Sequence, residues 1–137
     1  YRLAYTVLGD AVNLGSRLEG LTKFYDLPIL VSDTTRDACS RAEFCYIDRV
    51  MVKGRERPVE IFTPMMTGHE LEALKAFDSA VEHYRNQQWT ASAAEFEKLC
   101  KRFPGFRLGE IYLDRATHFA RNPPPADWDG VYAHATK

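Results

Sequence analysis

Cysteine is scarce in this chain: Cys39, Cys45 and Cys100 are the three present among 137 residues. No two of them stand at Cys-x-x-Cys spacing and the count is odd, which argues against a disulfide framework and fits reduced thiols in a cytosolic setting. An excess of charge of one sign is also missing. Nine Lys/Arg stand against nine Asp/Glu up to Met66, and nine against ten from Thr67 onward. Neither half is therefore a basic body suited to a nucleic acid or an anionic membrane surface. Long apolar runs are lacking as well, since none approaches the roughly 20 residues that a spanning helix needs, and no signal peptide precedes the first strand-like segment. No membrane contact is expected of this segment, and a cytoplasmic location is. His69, His83, His118 and His134 lie far apart and join no Cys or carboxylate cluster at ligand spacing, so no metal site is expected from them.

The 45% hydrophobic content is enough for the core of one ordinary domain or two small ones. Tyr1 to Leu8 reads as a strand from its β-branched and aromatic residues, and the chain begins directly inside it, as a fragment would. Gly9-Asp10 supplies a turn and an N-cap, a better reading of Asp10 than metal ligand. From Ala11 to about Tyr25, Val12, Leu14, Leu18, Leu21 and Tyr25 recur mostly at three- and four-residue steps, the pattern of a helix with one buried face. Asn13 and Arg17 fall one turn apart on another face. Pro28 to Val31 reads as a second strand, and Ser32-Asp33 caps a brief helix through Thr34 to Ser40. Phe44 to Lys53 and Pro58 to Phe62 read as a hairpin around Gly54-Arg55-Glu56-Arg57.

Past Thr67-Gly68 the texture changes to helix formers. One amphipathic segment carries Leu74, Phe77, Val81 and Tyr84; a second carries Trp89, Ala93, Phe96, Leu99 and Cys100 and stops at Phe103-Pro104-Gly105. A third runs from about Phe106 to Arg121, with Leu108, Ile111, Tyr112 and Phe119 on its stripe, and Pro123-Pro124-Pro125 stiffens the exit. The expected division is 1–66, 69–122 and a Pro-rich tail over 123–137.

The segment from Tyr5 through Gly9-Asp10, Asn13 and Arg17 to Glu19 closely resembles the class III adenylyl and guanylyl cyclase signature. There a strand, a Gly-Asp or Gly-Asn turn and an Asn-x-x-x-Arg helix form part of the nucleotide site. The resemblance continues through Ile29 to Ser32 and the Val52-Lys53-Gly54 hairpin, and covers roughly residues 1 to 64. It implies an α+β fold: a partial ferredoxin-like nucleotide cyclase domain, β-α-β-α-β-hairpin, followed by an all-α helical hairpin plus a third helix. Read singly, Asn13 and Arg17 are residues that cap and solvate a surface helix, and Lys53 is a turn lysine. The long signature implies more: Asn13 orients the ribose of ATP, Arg17 donates to the phosphate oxygens, and Lys53 contacts the leaving pyrophosphate. Thr6 falls at the base-selecting position and favours adenine, although the lysine that partners it lies upstream.

The family's metal-binding aspartates, which hold Mg2+ or Mn2+, would likewise lie upstream of Tyr1. Class III sites form between two catalytic domains, so a homodimer is implied and this piece alone is expected to be inactive. The rival expectation is a non-catalytic dimerisation or protein-interaction module derived from a cyclase.

Residues from about Ala76 to Pro104 resemble a tetratricopeptide unit, with Ala80, Tyr84, Trp89, Ser92, Phe96 and Pro104 in order and Gln87 where the consensus prefers glycine. One unit cannot bury its own faces, so either the third helix and the Trp128 tail cap it or it packs on the cyclase domain. The tail Pro124-Pro125-Ala126-Asp127-Trp128-Asp129-Gly130 resembles the end of bacterial cyclases with N-terminal sensors. The implied parent is a bacterial signalling protein, compatible with an upstream anchor in the inner membrane.

Overall fold

Left-handed backbone at a non-glycine residue ends two of the helices. A computed structural model describes residues 20–38, 43–51, 57–65 and 68–132. Residues 20–25 are helical (α1). Asp26 then takes φ 57, and the Leu27 N–H reaches back to the Thr22 carbonyl at 3.0 Å, the closure of a Schellman motif. Strand β1 is Val31–Ser32 and helix α2 is Asp33–Ala38. Ser32 is its N-cap: the hydroxyl accepts from the Thr35 N–H at 3.4 Å. Strands β2 (Phe44–Val50) and β3 (Val59–Pro64) pair antiparallel, β1 pairs on the other side of β3, and the order is β1-β3-β2.

The second expected strand is shorter than its apolar run. Pro28 has no N–H to give to a ladder, and Ile29 points outward, 38% exposed. The Ile29 carbonyl instead accepts from the buried Thr63 hydroxyl at 2.8 Å. Pairing begins only at Val31, opposite Phe62.

Strand β2 contains a bulge that its composition does not announce. Tyr46 stands opposite Phe62 and Asp48 opposite Ile61, which leaves Ile47 as the extra residue. Alternation breaks there, so Ile47 and Asp48 are both buried. Leu30, Ile47 and Ile61 are fully enclosed and, with the almost fully enclosed Tyr25, belong to the core of this unit.

Met66–Gly130 make a second compact unit, and Val131 and Tyr132 go with the first. The second unit holds α3 (Gly68–Arg85), α4 (Trp89–Arg102) and α5 (Arg107–Arg121). Helix α3 ends in another Schellman motif: Gln88 N–H to His83 carbonyl at 2.9 Å, Gln87 N–H to Tyr84 carbonyl at 3.0 Å, and Gln87 at φ 60. Between α4 and α5, Phe103-Pro104-Gly105-Phe106 forms a type II turn with Gly105 at φ 85 and the Phe106 N–H on the Phe103 carbonyl, 3.1 Å.

Leu74, Phe77, Val81 and Tyr84 bury one face of α3. On α4 the buried stripe is Trp89, Ser92, Phe96 and Leu99, whereas Ala93 and Cys100 are half-buried flanks. Phe77, Phe96 and Tyr112, one from each helix, meet with centroids 5.0 to 6.0 Å apart, spacings at which aromatic pairs attract beyond their burial. Where α4 and α5 press together, a Cβ on Gly109 would lie 2.9 Å from Leu99 Cδ2. Among the described residues the architecture is thus α+β, a three-stranded antiparallel sheet followed by helices.

Candidate functional site

Thr6, Asn13, Arg17 and Lys53, the residues on which the nucleotide-site expectation rests, lie outside the described residues, as does Asp10. The described elements that adjoin them in sequence do define a framework. The described part of α1 starts at Gly20, three residues after Arg17, and Lys53 lies in sequence between β2, which ends at Val50, and β3, which starts at Val59.

A buried polar tie joins these two stretches. The Tyr25 hydroxyl, at the end of α1, donates to Asp48 Oδ2 on β2. Asp48 Oδ1 accepts from the Arg49 N–H at 2.7 Å. Tyr25 is 1% and Asp48 2% exposed, so this carboxylate is held away from water and depends on donors of this kind. The bulge at Ile47 turns Asp48 inward to meet the tyrosine. Sequence reasoning did not single out Asp48; an aspartate inside an otherwise apolar, β-rich run was the available signal.

Two cations near this sheet are already engaged. The Arg36 guanidinium lies 4.3 Å from the Phe62 ring centroid and 2.8 Å from Asp37. Arg49 meets Glu60, its cross-strand neighbour, at 3.4 Å. Both pairs are partly exposed and contribute little to stability. Among the described residues no group of three or more His, Cys, Asp or Glu side chains could hold a metal ion, and no helix is long and apolar enough to cross a membrane.

The helical unit has polar features of its own. His83 Nδ1 and Gln88 Oε1 stand 2.9 Å apart across the α3–α4 turn. Arg115, also not foreseen from the sequence, is buried on the α5 stripe with its guanidinium 4.9 Å from the Tyr112 centroid. Burial pushes the Cys100 thiol pKa up, and the nearby Glu110 carboxylate adds to the rise. A half-buried thiol whose pKa is raised in this way is a poor nucleophile.

Comparison with known proteins points in one direction. The chain is 29% identical over 124 residues to "Adenylate cyclase, terminal-differentiation specific" of Dictyostelium discoideum, covering 83% of this chain and 6% of that protein. It is 42% identical over 65 residues to an adenylate cyclase of Anabaena cylindrica, 44% of this chain and 13% of the relative. It is 37% identical over 62 residues to adenylate cyclase 1 of Rhizobium meliloti (strain 1021), 44% of this chain and 9% of the relative.

This chain carries an adenylate-cyclase-related region.

The chain spans only 6% to 13% of the length of these curated relatives. The Dictyostelium similarity covers more of the chain than the first unit contains, so it includes residues of the helical unit as well as of the cyclase-related region. No family model matches the chain, and no solved structure matches it.

Proposed function

We propose that the protein to which this chain belongs is a class III adenylate cyclase that converts ATP to cyclic AMP and pyrophosphate for intracellular signalling. In this reading residues 1–66 supply one side of a site shared between two catalytic domains. The observation that carries it is the similarity to adenylate cyclases of three organisms, in a chain whose first nineteen residues hold the strand-turn-helix signature with Asn13 and Arg17.

The reaction closes a bond from the ribose 3′-oxygen to the α-phosphorus, breaks the bond from that phosphorus to pyrophosphate, and releases the 3′-hydroxyl proton. The enzyme must therefore orient a sugar and stabilise charge on phosphate oxygens. Asn13 holds the ribose. Arg17, four residues on, presents a planar fork to the α-phosphate oxygens as charge builds. Lys53, in the β2–β3 connection, faces the departing pyrophosphate, and Thr6 contacts the adenine.

Mg2+ or Mn2+, held by residues upstream of this chain, would supply activation of the 3′-hydroxyl and charge neutralisation. A second copy of the catalytic domain completes the site, and residues 69–122 act as a tetratricopeptide-like appendage with residues 123–137 as its tail. Tyr25 and Asp48 act as a structural tie, fixing α1, which follows Arg17 in sequence, to β2, which precedes Lys53 in sequence.

The test is cyclic AMP formation from Mg-ATP or Mn-ATP by this chain mixed with a fragment carrying the upstream half of the domain. Activity is expected in the mixture and not in the chain alone. Arg17→Ala should reduce it about a hundredfold or more, as loss of a transition-state donor does, and Asn13→Ala should do likewise. A mixture that reconstitutes the fold and stays inactive would favour a non-catalytic dimerisation module instead.

A further inference from the structure

Strand β2 departs from two local rules at adjacent positions. The extra residue at Ile47 interrupts the alternation of faces, and the residue after it, a carboxylate, is buried to 2% exposure. An apolar side chain at position 48 would fill the core without needing donors. The aspartate there accepts instead from the Tyr25 hydroxyl and, through Oδ1, from the Arg49 N–H at 2.7 Å. Bulges concentrate beside functional sites, and a break in local consistency is where function is to be sought.

The tie spans two stretches that adjoin the proposed site in sequence. Tyr25 stands eight residues after Arg17, and Asp48 five residues before Lys53. A hydrogen bond is directional, whereas apolar contact between the same elements would tolerate sliding. Beyond the bulge Arg49 pairs with Glu60 and Val50 with Val59. Losing the bulge would shift this end of β2 along β3 by about 3.3 Å and exchange its faces.

We propose that Tyr25 and Asp48 are a positioning pair for the nucleotide site: their hydrogen bond fixes the end of α1 against the bulge of β2 and so sets the spacing of Arg17 and Lys53. The inference rests on the cyclase reading, in which these two cations must meet the phosphates of one ATP. Neither Tyr25 nor Asp48 is catalytic; each acts through the cations. Both make other interactions as well, and the tie adds direction to these.

A stable variant without the tie separates position from stability. Tyr25→Phe combined with Asp48→Leu replaces both partners by apolar groups, an exchange that is close to neutral in a core. The full chain carrying both changes is mixed with the fragment that holds the upstream half of the domain. There kcat/KM for Mg-ATP is measured per folded molecule, with the folded fraction taken from circular dichroism. It should fall at least about tenfold while the urea midpoint stays near that of the wild type, because small misplacements in a site are costly. Lys53→Ala should lower kcat/KM by a smaller factor in this background than in the wild type, since residues that act through one another are not additive. Tyr25→Phe alone, measured where its circular dichroism is native, should show a loss in the same direction. Wild-type kcat/KM in either folded variant, or full additivity with Lys53→Ala, would overturn the inference. A wild-type mixture that reconstitutes the fold and stays inactive would overturn the cyclase reading, and this inference with it.

Discussion

Tyr25 donates its hydroxyl hydrogen to Asp48 inside the first unit, and both side chains are almost wholly enclosed. The pair joins the end of a helix to a bulged strand 23 residues later. Removing the hydroxyl takes a donor from a buried carboxylate. Tyr25→Phe should therefore destabilise the first unit by about 1.5–3 kcal/mol, the range for hydrogen bonds to charged groups. Urea denaturation followed by exchange of the β2 amides measures this. An unchanged midpoint would show that water or another group compensates.

Gln87 holds a left-handed conformation that glycine adopts without strain. For an ordinary side chain that conformation costs about 1–2 kcal/mol, and the greater freedom of glycine in the unfolded chain returns part of it. Gln87→Gly should accordingly raise the stability of the helical unit by about 0.5–1 kcal/mol. Asp26 has the same geometry at the end of α1, but aspartate tolerates this region better, so Asp26→Gly should gain less. Paired thermal melts of the two variants give the comparison.

Gly109 sets how closely α5 approaches α4. Alanine there improves helix propensity by about 1 kcal/mol, and its Cβ would press on Leu99 Cδ2 at 2.9 Å. Leu99 is buried and has little room to yield, so the strain of about 1–3 kcal/mol outweighs the gain. Gly109→Ala should be neutral to mildly destabilising. Gly109→Leu, which adds three further carbons to the contact, should prevent native packing of α5. Calorimetric melting of both variants tests this ordering.

The raised pKa of Cys100 fixes the sign of a pH effect. The folded protein favours the protonated thiol, so this contribution to stability is fully present below the unfolded thiol's pKa and is lost as pH rises through the higher folded value. Alkylation requires the thiolate. Iodoacetamide should therefore label Cys100 more slowly than a free thiol at pH 8, with the rate climbing at more alkaline pH. Glu110→Gln should move that profile part of the way back, because burial is the larger cause. Cys45, at 1% exposure, should react more slowly still. Mass spectrometry resolves the sites.

Much of the helical unit was legible in the sequence. The three- and four-residue spacing of Leu74, Phe77, Val81 and Tyr84 placed one buried face, and Phe103-Pro104-Gly105 placed the stop after α4. These are local rules: side-chain period and backbone dihedral preference act within a turn or two. The hairpin was legible for the same reason, as two β-rich runs around a glycine. The nucleotide-site expectation came from a long ungapped signature, and Thr6, Asn13, Arg17 and Lys53 lie outside the described residues.

Tertiary structure decided the rest. Ser92 rather than Ala93 lies in the centre of the α4 face because α4 packs between two helices whose directions its own sequence does not encode. Ile47 became the extra residue because pairing with β3 and the demand of Tyr25 act across the sheet. Trp128 found its place among Tyr84, Trp89 and Phe119 only once three helix ends had been brought together. The sequence by itself determined periods, caps and turns, since these depend on neighbours along the chain; bulge, burial of Asp48 and seating of Trp128 depend on partners distant in sequence, which only the packed structure brings within reach.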